Sequence, residues 1–164
     1  MPAYLLDSNF FIQAYRIHYP FDVVPGFWTK VSELARHNKI CSIDKVMDEI
    51  YNNEDELKRW CQQNLPDDFF KSTGNIAESY ADVVRWAYSH RDHYKQTALD
   101  DFLSDDVADA WLVAYAYAYN HVIVTQEIPE PARKSKIKIP DACQPFTVRY
   151  IDKISLFREL NEQF

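Results

Sequence analysis

The sequence predicts an α/β fold around a mostly parallel sheet, and three observations carry that expectation. Short apolar runs at residues 3–6, 40–43 and 122–125 have the length of buried strands. Segments with apolar residues at helical period separate them, the alternation expected where crossover helices join parallel strands. Within residues 105–127, DDVADAWLVAYAYAYNHVIVTQE, one period gives way to the other. A nearly all-apolar helix with acids only at its start turns, after Asn120 and His121, into a strand ending in Thr125, Gln126 and Glu127. In a parallel sheet the start of such a helix and the end of such a strand share one edge, where these folds bind ligands.

Taken in order, the run 3–6 reaches Asp7, Ser8 and Asn9 and then a helical pattern through Phe10, Phe11, Ala14 and Tyr15. This reads as strand, turn and helix, with Ser8 or Asn9 as cap and Asp7 on the same edge as Glu127. Pro20 and Pro25 interrupt, and residues 27–36 form a helix with Trp28, Val31, Leu34 and Ala35 inward. The strand 40–43 leads to a helix holding Val46, Met47, Glu49, Ile50 and Tyr51, capped by Asp44 or Ser42. Residues 54–65 read as an amphipathic helix with Leu57, Trp60 and Cys61 inward, stopped by Pro66, and residues 75–90 as another. The polar stretch 91–104 leads into a helix that begins at Asp105, so that Asp109 lies one turn beyond Asp105 and Asp106. After Glu127, Pro129 and Pro131 argue against regular structure. Residues 147–151 make a last strand, and Asp152 caps a terminal helix holding Ile154, Leu156, Phe157 and Leu160.

Composition bounds the function. A chain of 164 residues with 47% hydrophobic and 15% aromatic residues has enough to build one core, and one domain spanning 1–164 is expected. No apolar run reaches membrane-spanning length, and MPAYLLDSNFF has no basic segment ahead of its apolar residues, so a cytoplasmic protein without a membrane partner is expected. Cys41, Cys61 and Cys143 lack paired spacing and read as reduced, mostly buried thiols. A net charge of -7 argues against a nucleic-acid clamp over the whole surface but leaves room for a local basic groove. Gly26 and Gly74, the only glycines, open no phosphate-binding loop, which excludes the familiar nucleotide fingerprints.

The chemistry lies in the acids. Asp7, Glu49, Asp109 and Glu127 come from four separate segments, several of which end on one edge. Two carboxylates about 4 Å apart repel by about 4 kcal/mol at an effective dielectric near 20. Protonation or a cation relieves this. Oxygen ligands without a Cys or His cluster favour Mg2+ or Mn2+ over zinc, and such ions activate water and stabilise a phosphodiester transition state.

Five segments carry a family resemblance: YLLDSNFFIQAYR, ICSIDKVMDEIYNNEDELKRWC, DDVADAWLVAYA, VIVTQE and KIPDACQPFTVRYIDKISLFREL. In their order and spacing the chain resembles the PIN-domain nucleases, and more narrowly the DUF4411 branch of PIN-like proteins. The resemblance implies a three-layer α/β/α sandwich with a central, mostly parallel sheet. It implies a metal-dependent endoribonuclease that cuts RNA to leave a 5′-phosphate and a 3′-hydroxyl, and often a toxin with a cognate antitoxin protein. On this resemblance Asp7 matches the first acid, Glu49 the second, Asp109 the third and Glu127 the more variable fourth, here Glu where many relatives carry Asp. Asn9 and Thr125 match supporting polar positions, and Asp105 or Asp106 adds a further ligand.

Each residue also has a plainer reading. Asp7 caps a helix, Asp105, Asp106 and Asp109 complement a helix dipole, Glu49 sits on a solvated face and Glu127 in a loop. The convergence of all four acids is what separates function from these. Tyr115 and Tyr119 share a helix face and Tyr117 points elsewhere; core packing is the first reading, a homodimer contact the second and base stacking the third. His90 and His93 belong to a solvated helix end. The basic run Arg133, Lys134, Lys136 and Lys138 is either a solvated loop or a holder of RNA phosphates. Two alternative functions are a PIN-like scaffold that binds RNA or protein without cutting, and a phosphatase of the haloacid-dehalogenase kind. The second is weakened by Asn9, which stands where that class carries its acid.

Overall fold

Strands that are apolar without alternation must be covered on both faces. In the computed structural model, which describes residues 3–164, the strands β1 (Tyr4–Leu6), β2 (Ile40–Ile43), β3 (Phe70–Lys71), β4 (Val122–Val124) and β5 (Tyr150–Ile151) form a parallel sheet in the order β3-β2-β1-β4-β5. Leu5 of β1 pairs with Cys41 on one side and Ile123 on the other. The chain steps outward from β1 to β3, then returns to the far side of β1 and steps outward again. The reversal falls between β1 and β4, so Asp7 and Thr125, the residues that follow those strands, flank the switch point.

The helices are α1 (Ser8–Gln13), α2 (Pro25–Arg36), α3 (Asp44–Tyr51), α4 (Glu56–Asn64), α5 (Ala77–Ser89), α6 (Gln96–Phe102), α7 (Asp109–Tyr119), α8 (Ile139–Cys143) and α9 (Lys153–Leu160). A π turn, Ala14–His18, extends α1, and a 3-10 turn, Gln144–Phe146, follows α8. With the right-handed crossovers that parallel strands favour, the strand order sends α1 to α4 to one face and α5 to α8 to the other, the expected α/β/α layering, and α1 meets α3, α3 meets α4, and α7 meets both α5 and α8. The last helix, α9, joins the first face, with Phe157 5.9 Å from Phe27 of α2. The nearly all-apolar α7 lies against α5; its Ala110, Leu112, Val113 and Ala114 are fully buried, as are Val83 and Ala87 of the partner helix. Tyr115 is buried as expected, but Tyr119 and Tyr117 are each 43% exposed, the first 4.6 Å from the Tyr115 ring and the second 5.1 Å from Phe146.

Several local details differ from the sequence reading. The helix expected from Asp105 begins at Asp109, because Glu49 supplies an acceptor for the Ala108 N–H and residues 104–107 close their own turn, Val107 N–H on Ser104 O at 3.1 Å. Ser8 is already the first residue of α1; Asp7 takes the cap position, and the Asn9 N–H faces its carboxylate without closing a capping bond. Ile43 takes the cap position of α3, since Ser42 Oγ is spent on Leu6 O at 2.6 Å and Asp44 accepts from the N–H and hydroxyl of Thr73 at 3.1 and 2.9 Å. Asp152 caps α9 as expected, through Ser155 N–H at 2.7 Å. The polar stretch 91–104 contains α6, whose apolar face of Ala98, Leu99 and Phe102 is masked in sequence by charged neighbours. The loop after Glu127 contains α8, with Pro140 in its first turn where a missing N–H costs nothing. Ile154 points outward, 42% exposed, and Lys153 takes the inward place beside Leu156 and Phe157.

The three cysteines are buried free thiols, as expected, with burial pushing Cys41 up to about 11 and Cys61 and Cys143 up to about 12. Among the described residues no helix is long and apolar enough to cross a membrane.

Among the described residues, Lys153 is the one buried cation, and the core encloses it without an acid. Its residue is 1% exposed, its Nζ has no hydrogen-bond partner among the described residues, and the rings of Phe10, Tyr19 and Phe27 lie at 5.4, 5.2 and 5.7 Å from it. The rings return part of the lost hydration, yet burial still pushes the pKa down to about 8. Between that value and its ordinary 10.5 the unfolded chain holds a proton that the native chain has released, so stability climbs as pH rises through this window. Lys153→Met, which keeps the volume and removes the charge, is expected to raise Tm at pH 7, by roughly 2–4 °C for each kcal/mol gained. It is also expected to abolish the extra stabilisation that wild type gains at high pH. Thermal melts across pH 7–10 check this; parallel curves for the two proteins would refute it.

Candidate acidic site

The switch point gathers the acids. Asp7, 2% exposed, leaves β1 and receives the Thr125 hydroxyl on Oδ2 at 3.0 Å. The Ser8 hydroxyl lies 3.4 Å from Asp7 Oδ1 and 3.2 Å from Glu49 Oε2, so one hydroxyl stands between two carboxylates. Glu49 Oε1 accepts the Ala108 N–H at 2.8 Å, and the second acid therefore anchors the start of the helix that carries the third, Asp109. Thr125 Oγ1 accepts the Glu127 N–H at 3.2 Å while donating to Asp7. Glu127 Oε1 in turn accepts the Ile139 N–H at 3.0 Å, which ties the loop after β4 to the first residue of α8.

The four acids feel one another. Burial pushes Asp7 up to about 6; the negative charges of Glu127 and Glu49 add to this, and the Thr125 hydroxyl opposes it. Asp109 is held well above the usual carboxylate range, first by burial and then by Asp7, Glu127 and Glu49, with Lys136 opposing. Burial raises Glu49, against the Ala108 N–H and the Ser8 hydroxyl. Among the described residues no Lys, Arg or His forms an ion pair with any of the four. An oxygen-only set with no cation of its own suits a hard divalent ion. The fit stops short of a closed cage: among the described residues no three His, Cys, Asp or Glu side chains have drawn together into a metal-holding group. Mutual repulsion keeps uncompensated carboxylates apart, and hydrogen bonds hold three of them at their separate stations.

The remaining expected residues are placed unequally. Asp105 and Asp106 lie in the exposed turn ahead of α7; the Asp105 charge acts on Tyr80, and the Asp106 N–H is 3.3 Å from Ser104 Oγ. Of the basic run, Lys136 lines a cleft of about 380 Å³ together with Asp101, Asp109, Arg133 and Ser135. Lys138 lies 3.8 Å from Glu130, which Arg133 also pairs with at 3.2 Å, and the Lys134 carbonyl accepts the Lys95 N–H at 2.9 Å. The sequence reading offered Ser8 only as a cap and did not find Asp101 or Ser135 at all. The DSN order hid Ser8, because a serine ahead of an apolar helical pattern is also a helix-start signal.

Asp7 makes the site costly in the metal-free protein. Its folded value near 6 exceeds the ordinary 3.8, so between these the native chain binds the extra proton and stability falls as pH rises. Asp7→Asn keeps the acceptor for Thr125 and removes the charge. In chelator it is expected to melt above wild type at pH 7, with the difference closing towards pH 4. Equal Tm values at pH 7 would contradict the burial described for Asp7.

Comparison with known proteins agrees with this architecture. None of the curated proteins matches the chain. A chain in the crystal structure of VapBC2 from Rickettsia felis, bound to a DNA fragment from their promoter, superposes with a TM-score of 0.52 at 17% identity, over 92% of this chain and 98% of that one. At that identity the likeness is one of fold, and the fold is PIN-like. The model of the family described as "Domain of unknown function (DUF4411)" matches residues 4–164, and the chain belongs to that family.

Proposed function

We propose that the chain is a Mg2+- or Mn2+-dependent endoribonuclease that hydrolyses RNA phosphodiester bonds. The observation that carries this reading is the gathering of Asp7, Glu49, Asp109 and Glu127, from four segments, around one switch point, with no Lys, Arg or His among the described residues in an ion pair with them. When bound, a divalent ion supplies positive charge that acidifies water and offsets the charge of a phosphodiester transition state.

The chain's own residues do the rest. Asp7 and Asp109 would hold the ion, and Glu49 and Glu127 would complete the donor set. Thr125 orients Asp7 through its hydroxyl, Ser8 joins Asp7 to Glu49, and Asn9 turns its backbone N–H to the same carboxylate. Asp109, whose surroundings favour its protonated form, gives up its proton as a cation is taken up, which makes binding tighter at higher pH. Lys136, on the wall beside Asp109, receives the phosphate next to the scissile bond, with Lys134 and Lys138 further along the loop. The likeness to VapBC2 supports placing the protein in the cytoplasm as the toxin of a toxin-antitoxin pair. Its partners are then an RNA, a cognate antitoxin protein and a second copy of the chain.

A second reading, a scaffold that binds RNA or protein without cutting, draws on the absence of a closed metal-holding group among the described residues. One experiment divides the two. Purified protein incubated with mixed RNA is expected to cleave it with Mg2+ or Mn2+ and to stop in chelator, and Asp7→Asn, still folded by circular dichroism, is expected to leave the RNA intact. Uncut RNA with both ions, despite measurable binding, would favour the scaffold. Neutralising Lys134, Lys136 and Lys138 together is expected to weaken RNA binding and to flatten its salt dependence by up to about 0.7 log units per lost phosphate contact. Unchanged salt dependence would remove the loop from the substrate path.

A further inference from the structure

A second cleft, of about 450 Å³, is lined in part by Pro131, just ahead of the basic residues that line the cleft holding Asp109. Trp86, His90 and Tyr94 wall it, with ring centres 5.3 Å apart for Trp86 and His90 and 6.4 Å for Trp86 and Tyr94. Asp141 also lines it. That carboxylate is 8% exposed and accepts a hydrogen bond from the Glu130 N–H at 3.0 Å, and among the described residues no Lys, Arg or His pairs with it. A carboxylate that lines a cleft still has lone pairs to offer after one such bond. The occupant that satisfies both features has a flat π face and an edge of N–H donors. A nucleobase has both, and single-stranded RNA is read by stacking on aromatic side chains with hydrogen bonds to the exposed edge.

The edge selects the base. A carboxylate only accepts, so it repels the carbonyl edge of uracil and suits a base with two neighbouring donors, which are N1–H and the 2-amino group of guanine. The loop joins the two clefts. Pro131 lines this one, while Arg133, Ser135 and Lys136 line the one that holds Asp109. His93 fixes the loop between them, its Nε2 lying 3.2 Å from the Arg133 carbonyl, and the Lys95 N–H holds the next carbonyl.

We propose that the cleft formed by Trp86, His90, Tyr94 and Asp141 is a base-recognition subsite that takes an unpaired guanine of single-stranded RNA. It rests on the RNA-binding reading above and adds specificity to it. The phosphates of the strand run over the loop, one base enters this cleft, and a neighbouring linkage faces the acids.

The test uses the full chain carrying Asp7→Asn in chelator, with short fluorescent oligouridine RNAs that contain one central guanosine, inosine, adenosine or uridine. Fluorescence anisotropy is expected to show the guanosine RNA binding about tenfold tighter than the other three. Asp141→Asn is expected to bring it to the level of the uridine RNA. Inosine lacks only the 2-amino group, so that arm decides even where Asp141→Asn fails to fold. Equal binding of all four RNAs, or an undiminished guanosine preference in folded Asp141→Asn, overturns the proposal. Wild-type protein with Mg2+ separates the two readings. Cleavage without base preference removes the guanine subsite and leaves the nuclease, whereas guanosine-selective binding without cleavage removes the nuclease and leaves the subsite.

Discussion

The burial of Asp7 at the end of β1, with the charges of Glu49 and Glu127 acting on it, is the constraint to which the rest of the structure answers. Asp7 is nearly inaccessible and has acids for neighbours where a basic group would relieve it. A fold tolerates this only if the surrounding backbone and hydroxyls share the load, and here they do. The Thr125 and Ser8 hydroxyls and the N–H groups of Ala108 and Ile139 each reach one of the acids. These bonds also join α1, α3, α7 and α8 across both layers of the sandwich. A perturbation at Asp7, Glu49 or Glu127 is therefore felt at the start of at least one helix.

Lys153 shows by contrast what the core does with a charge of the other sign. It follows β5, its backbone N–H bonds to Gln126 at 2.9 Å, and it could have supplied a counter-ion from that edge. Its amine instead turns under α1 into the rings of Phe10, Tyr19 and Phe27. The acids keep their net charge, and the cation is stored where it neutralises nothing. Both ends of this arrangement cost folding free energy, and the aromatic packing around α2 and α9 compensates without touching the site.

Much of this was legible in the sequence because strands and long helices declare themselves by period. The runs at 40–43 and 122–125, the switch from helix to strand after Asn120, and the cap at Asp152 all follow from local patterns. The start of α7 did not, because the acceptor that begins it belongs to Glu49, 59 positions earlier in the chain. Ser8 and Asp44 were misread for the same reason: each side chain serves a distant partner in place of the local cap that its type suggests. The helices α6 and α8 are short, and their apolar faces are diluted by charge and proline below what periodicity can detect. The residues of the second cleft come from three segments whose approach only the folded chain reveals.

The distribution of the basic loop completes the electrostatic picture. Arg133 and Lys138 are drawn to Glu130, so of the cations near the acids Lys136 is the one whose charge lowers Asp109. Had Lys136 closed an ion pair with Asp109, the pocket would carry less charge and attract a cation weakly. Lys136 and Asp109 line the same cleft without pairing, so charges of both signs face it. On the nuclease reading proposed above, the carboxylate is the group that takes the dication and the lysine the one that meets the polyanionic strand. An overall acidic protein can in this way present a local surface that nucleic acid approaches.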